Sequence, residues 1–120
     1  MNTKWGVYPW FIEHGVDLIH PDDIEAFRRE ANNSKVFECI EDGDFLTLKY
    51  NTNCYRVSNR LFKPVPNPQY VFEQVVIIRE NGEEATITDI MWHYGKKEHY
   101  YMVSINNKKR AKRYLASEFV

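Results

Sequence analysis

The sequence predicts a mainly β (α+β) chain in two parts: residues 1–66, an N-terminal helix with a small antiparallel sheet, and residues 67–120, a second β unit. Three observations carry this. From residue 34 onward, short apolar runs alternate with turn chemistry at hairpin spacing. Pro64, Pro66 and Pro68 break that pattern by removing three ladder donors and fixing an extended backbone, which places a boundary there. Helical periodicity is convincing only over residues 20–31.

The opening Trp5-Gly6-Val7-Tyr8-Pro9-Trp10-Phe11 concentrates four aromatics in seven residues. Trp5 and Phe11 suit a strand or extended arm that plugs the first sheet, whereas Tyr8 and Trp10, around Pro9, suit a binding groove. In residues 20–31, Pro21 fits the first helical position, where its missing N–H would lack a partner anyway. Asp22, Asp23 and Glu25 lie toward the positive end of the helix dipole and Arg28 and Arg29 toward the negative end. Ile24, Phe27 and Ala31 share one face, and Asn32-Asn33 ends the helix.

Residues 34–41, carrying Val36, Cys39 and Ile40, form a strand turned by Asp42-Gly43, and residues 44–50 return with Phe45, Leu46 and Leu48. Asn51-Thr52-Asn53 turns the chain into a short strand over residues 54–57. After the proline linker, residues 70–79 lead to Asn81-Gly82, a strong short-range hairpin signal. Residues 84–94 return with Ile87, Ile90, Met91 and Trp92. Residues 95–98 turn the chain again, and residues 99–105 place Tyr101, Val103 and Ile105 on one face. Asn106-Asn107 turns toward residues 110–115 and a short close at 116–120. Residues 44–53 align with 99–108, and Arg56 to Phe62 aligns with Arg113 to Phe119 in spacing, so an internal duplication stands beside the alternative that two meanders with Asn-rich turns match by composition.

Composition excludes several classes. The 120 residues are 43% hydrophobic and 15% aromatic, enough to close a core. Sixteen basic against 17 acidic groups exclude a generally polycationic nucleic-acid coat. No apolar run reaches the roughly 20 residues that span a bilayer, and the start lacks a signal-peptide pattern, so the expectation is a cytoplasmic chain with no membrane partner. Cys39 and Cys54 are too few for a disulfide framework.

Catalytic constellations are absent or ambiguous, and the expectation is a non-enzyme with no cofactor and no metal. The five glycines are too scattered to cradle a phosphate. Cys39, Cys54, His14 and His20 match no standard zinc spacing. His14 and His20 lie among Glu13, Asp17, Asp22 and Asp23, the raw material of acid–base chemistry. The simpler account has His20 satisfying local donors before Pro21 while the acids serve the dipole. His93 and His99 flank a turn with Trp92, Tyr94, Tyr100 and Tyr101 nearby. Such rings stack a ligand or stabilise the hairpin as cross-strand pairs. Alternation assigns Trp92 to the core and His93, Tyr100 and Met102 to the outer face.

Charge is polarised. Residues 1–68 hold 8 basic and 10 acidic groups, whereas residues 96–120 hold 7 basic (Lys96, Lys97, Lys108, Lys109, Arg110, Lys112, Arg113) and 2 acidic. That basic end suits phosphate or acidic-partner contacts, and equally the protection of an edge strand.

Two resemblances follow from these residues. Residues 70–120, ending in a strand, one tight helical turn and a last short strand, resemble the SH3-like, Tudor-like and KOW-like group, which implies a bent five-stranded barrel with aromatics at one rim. The Asn81-Gly82 turn is similar to that of KOW segments but lacks their second glycine. The whole chain resembles a family of small uncharacterised bacterial proteins that share Trp-Gly-x-Tyr-Pro-Trp-Phe, here residues 5–11, and His-Pro-Asp-Asp, here residues 20–23, with a basic run near the end. That resemblance implies one unit of two parts and supplies no known activity. The expected role is a binding module: a protein or peptide partner met by Tyr8, Trp10, His93, Tyr94 and Tyr100 on an aromatic-lined small barrel. Nucleic-acid binding through the basic C-terminal strands is the alternative.

Overall fold

The computed structural model describes residues 3–30 and 33–120. They are mostly β, arranged as two open antiparallel sheets in two compact units that divide between Asn67 and Pro68.

In the first unit, β1 (Thr3–Val7), β2 (Val36–Asp42), β3 (Phe45–Tyr50), β4 (Asn53–Val57) and β5 (Lys63–Pro64) lie in the order β4-β3-β2-β1-β5. Gly43 at φ 63° and Asn51 at φ 55° supply the left-handed residues that the two hairpin turns need. Gly6 is required by close approach: a Cβ there would lie 2.5 Å from both the Lys63 carbonyl oxygen and the Phe62 ring. Between β1 and β2 the chain makes three 3-10 turns, Ile12–His14, Val16–Leu18 and Pro21–Asp23, the last running into α1 (Ile24–Glu30). Phe27 is fully buried, with ring centroids 5.1–6.0 Å from Tyr8, Trp10, Phe37 and Tyr55. This insert also covers the outer edge of β4. Ile19 bridges Val57, the Ser58 N–H donates to the Leu18 carbonyl (2.7 Å), and the His20 N–H donates to the Arg56 carbonyl (2.9 Å).

In the second unit, β6 (Val75–Ile77), β7 (Glu84–His93), β8 (Glu98–Ile105) and β10 (Tyr114–Leu115) lie in the order β10-β8-β7-β6, and β9 (Lys108–Lys109) pairs with the far end of β8. Gly82 at φ 72° and Asn106 and Asn107 at φ 53° and 63° make the turns. Tyr101, Val103 and Ile105 are buried together, as alternation requires. A register shift between Ile87 and Asp89 keeps Ile87 and Ile90 on that same face.

The fold expectation is corrected in two respects. No helix opens the chain, since β1 precedes the helical insert, and Ala31 lies outside the described residues. Residues 67–120 form an open sheet and not a five-stranded SH3-like barrel. The physical reason is lost strand length. A turn at Val71–Gln74, with Glu73 at φ 67° and the Gln74 N–H on the Val71 carbonyl, leaves only Val75–Ile77 of the expected strand over 70–79. Residues 110–113 leave the ladder, so β9 and β10 keep two residues each, too few pairs to close a cylinder.

The two units nevertheless repeat one order of elements. Under the alignment of residues 44–53 with 99–108 and 56–62 with 113–119, Leu46 and Val57 correspond to Tyr101 and Tyr114, and both are facing cross-strand pairs. The 3-10 turn Asn59–Leu61 corresponds to Ala116–Glu118. Each unit then returns to its first strand: β5 pairs with β1, and Phe119 bridges Ile78 beside β6.

Candidate functional site

The opening aromatics do not divide as expected, and Trp5 is half-buried. Tyr8 and Trp10 are 1% and 4% exposed, while Phe11 is 51% exposed. The Tyr8 hydroxyl donates to the Ser58 carbonyl at 2.6 Å and the Trp10 Nε1–H to the Gly15 carbonyl at 3.0 Å, so both polar tips are satisfied inside the first unit. Burial pushes the Tyr8 phenol far above its usual range. Neither ring lines a groove for a partner.

His14 and His20 serve the backbone. Each Nδ1 accepts a local N–H, that of Phe11 (2.9 Å) and that of Asp22 (3.1 Å). Asp23 turns to β4, accepting from the Arg56 backbone N–H at 2.8 Å and from Nε and Nη2 at 2.9 and 3.3 Å. The guanidinium bonds hold the Asp23 carboxyl below the usual range, and Asp22 stands 3.7 Å from the same guanidinium. Among the described residues no group of three His, Cys, Asp or Glu is placed to hold a metal ion. Cys39 is buried on β2, its thiol pushed up to about 11 by burial, while Cys54 on β4 is exposed.

A polar hollow of about 300 Å³, lined by Ala26, Arg29, Glu30, Asn53 and Tyr55, is shallow and open to solvent, and its carboxylate is already satisfied. Lys35 Nζ lies 2.6 Å from Glu30 and 4.9 Å over the Tyr50 ring, and Asn53 donates to Glu30 at 3.3 Å. Burial raises the Glu30 carboxyl, but Lys35, Asn53 and Tyr55 together outweigh it and leave it lowered. The pair ties the C-terminal end of α1 to the start of β2.

The second unit keeps its cations at the surface. Lys96 and Lys97 sit in the β7–β8 turn, Lys108 and Lys109 pair with Ile105 and Ser104, and the Arg110 N–H donates to the Val103 carbonyl at 2.9 Å. Arg113 returns over Tyr100, its guanidinium 5.3 Å from the ring. The basic groups therefore string out along β8, whose 8 residues span about 25 Å at ~3.3 Å each. Lys112 is engaged with Glu80 (3.6 Å), Glu118 (3.9 Å) and the Tyr114 ring (4.8 Å). Lys96, Lys97, Lys108, Lys109, Arg110 and Arg113 are exposed and form no ion pair among the described residues.

Around that edge, His93 is exposed, accepts the Lys96 N–H on Nδ1 at 3.0 Å, and meets Tyr100 edge-on at 6.2 Å. Tyr94 is 47% exposed. Tyr100, expected outside, is 7% exposed, because Leu115 pairs with it and Arg113 lies over its ring. A groove of about 360 Å³ lies between the Asn81-Gly82 turn and the basic segment, lined by Asn81, Glu83, Ile105, Arg110, Lys112 and Tyr114. Acid and base thus alternate at this end. Sequence reasoning missed Arg56, whose signal was its alignment with Arg113. It also missed Arg79, whose guanidinium holds the Ser117 and Phe119 carbonyls at 3.1 and 3.0 Å.

A family model described as a family of unknown function, DUF6960, matches residues 1–120. No curated protein and no solved structure matches the chain. Among the described residues, no helix is long and apolar enough to cross a membrane.

Proposed function

The chain belongs to DUF6960, a family of unknown function, and we propose that it is a binding module whose second unit takes an acidic protein or peptide segment along the basic edge of β8 to β10. One observation carries this reading: six exposed cations, Lys96, Lys97, Lys108, Lys109, Arg110 and Arg113, line that edge, and none of them has a carboxylate partner among the described residues. Exposed aromatic surface at Tyr94 adds apolar contact beside the charges, and the buried Tyr100 ring supports the Arg113 guanidinium from beneath.

A polypeptide partner is favoured over a nucleic acid by the interleaved carboxylates. Glu80 and Glu118 hold Lys112, and Glu83 shares the groove with Arg110. A phosphate backbone is anionic throughout and is repelled by such groups, whereas a peptide carries both signs. The test is fluorescence anisotropy with a labelled acidic peptide of Glu, Asp and one Phe, its Gln/Asn counterpart, and a single-stranded oligonucleotide. The acidic peptide binds with a negative salt dependence, and K108Q/K109Q/R110Q weakens it. Tighter binding of the oligonucleotide, or equal binding of the Gln/Asn peptide, overturns the proposal.

A further inference from the structure

The first unit already contains the complex that the second unit lacks. Arg56 on β4 is covered by the chain's own insert: its carbonyl accepts the His20 N–H at 2.9 Å, its backbone N–H donates to Asp23 at 2.8 Å, and its guanidinium takes both Asp22 and Asp23. Arg113 is the corresponding residue, one position before Tyr114 as Arg56 is one before Val57. The insert has no counterpart, because β6 and β7 are joined by the short turn at Asn81-Gly82 where β1 and β2 enclose residues 8–35. Arg113 is exposed and faces no carboxylate among the described residues. The next N–H does not share that vacancy, since Leu115 donates internally to Glu118 at 3.1 Å.

We infer that the outer edge at Arg113 is a strand-docking site for an extended segment followed, within two or three residues, by a pair of adjacent carboxylates, the arrangement that Ile19-His20-Pro21-Asp22-Asp23 presents to Arg56. The extended part pairs with the Arg113 backbone, as peptides do when they add a strand to a sheet edge. The carboxylates take the guanidinium, whose fork geometry suits them. The basic run from Lys108 to Arg113 discourages neutral or basic strands and admits an acidic one. This inference rests on the acidic-partner reading and names the residue and the backbone that receive it.

The probe is a synthetic peptide with the sequence of residues 16–30, added to the full chain, with a second peptide carrying Asn in place of both aspartates at positions 22 and 23. Amide NMR shifts locate binding, and anisotropy measures it. The expected result is a shift centred on Arg113 and Tyr114, at least about tenfold weaker binding of the Asn peptide, a similar loss in R113Q, and partial recovery in R113K, which restores charge without the fork. If the acidic peptide binds, R113Q changes affinity less than twofold and the shifts centre on Lys108 to Arg110, the docking edge is refuted while the acidic-partner reading stands. Absence of binding by any acidic peptide overturns both.

Discussion

Replacing Phe27 with Ala tests whether the helical insert is anchored to the first sheet by one ring. Phe27 is 0% exposed, and four aromatic rings surround it. Transfer of a fully buried Phe side chain contributes about 1.5–3 kcal/mol. The cavity adds to this, since Phe37 on β2, Tyr55 on β4 and the segment carrying Tyr8 and Trp10 are held apart by the sheet and collapse only in part, which brings the total to about 3–5 kcal/mol. A unit of this size has roughly 0.05–0.15 kcal/mol of stability per residue, so the loss takes most of it. At ~1.4 kcal/mol per factor of ten, amide exchange in β2 and β3 accelerates from about 10²-fold to about 4 × 10³-fold wherever it proceeds by unfolding of that unit. Hydrogen–deuterium exchange read by NMR measures this, with F27L as the milder control that retains most of the volume. A loss of under about 1 kcal/mol in F27A would show that the insert is held by its edge hydrogen bonds and that the ring cluster is incidental.

Three further outcomes follow from the geometry. G6A places a methyl group 2.5 Å from the Lys63 carbonyl and the Phe62 ring, and is expected to cost about 1–3 kcal/mol in urea denaturation by forcing β5 from β1. Asp23 has a lowered carboxyl, so its contribution is present above the unfolded carboxylate pKa of about 4 and is lost as pH falls through the lower folded value; the Tm of D23N relative to wild type is expected to be depressed at neutral pH and to converge with it under acid, whereas a pH-independent difference would contradict the Arg56 pair. Iodoacetamide is expected to label Cys54 alone in the folded protein and both cysteines after denaturation, because Cys39 is buried with its thiol held near 11; mass spectrometry counts the labels.

Much of the strand order was legible because it is written in local chemistry. Asp42-Gly43, Asn81-Gly82 and Asn106-Asn107 turn where their left-handed conformations are cheap, and the strands between them alternate. Closure was not legible, because it depends on how many residues remain in the ladder. The turn at Val71–Gln74 and the loop at 110–113 each remove residues that look strand-like in sequence. The aromatic site misled for a related reason. Tyr8 and Trp10 around Pro9 look like a presented pair, and only the distant Ser58 carbonyl and Gly15 show where their polar tips go. Exposure of the basic residues at 96–113 was legible, since a lysine or arginine with no partner in sequence range tends to remain exposed.

The basic edge of the second unit differs from a merely guarded edge in the residue it carries at position 113. A sheet edge guarded only against aggregation needs lysines, which are hydrated point charges with no preferred partner geometry. At position 113 the chain instead carries an arginine held over Tyr100, a fork already oriented by its stack. At the matching position of the first unit the same residue type is satisfied by two adjacent aspartates and by an extended segment that bridges the strand edge at Ile19. One scaffold thus appears with its edge covered and with its edge open, and the covering segment differs from the rest of the first unit in being an insertion between β1 and β2. Adding a disulfide-free tether that supplies residues 16–30 beside Arg113 is then expected to slow exchange at the Arg113 amide and to suppress binding of the free acidic peptide, whereas the same tether with Asn at positions 22 and 23 leaves that binding intact. Suppression by both tethers alike would assign the effect to bulk at the edge and not to the carboxylates.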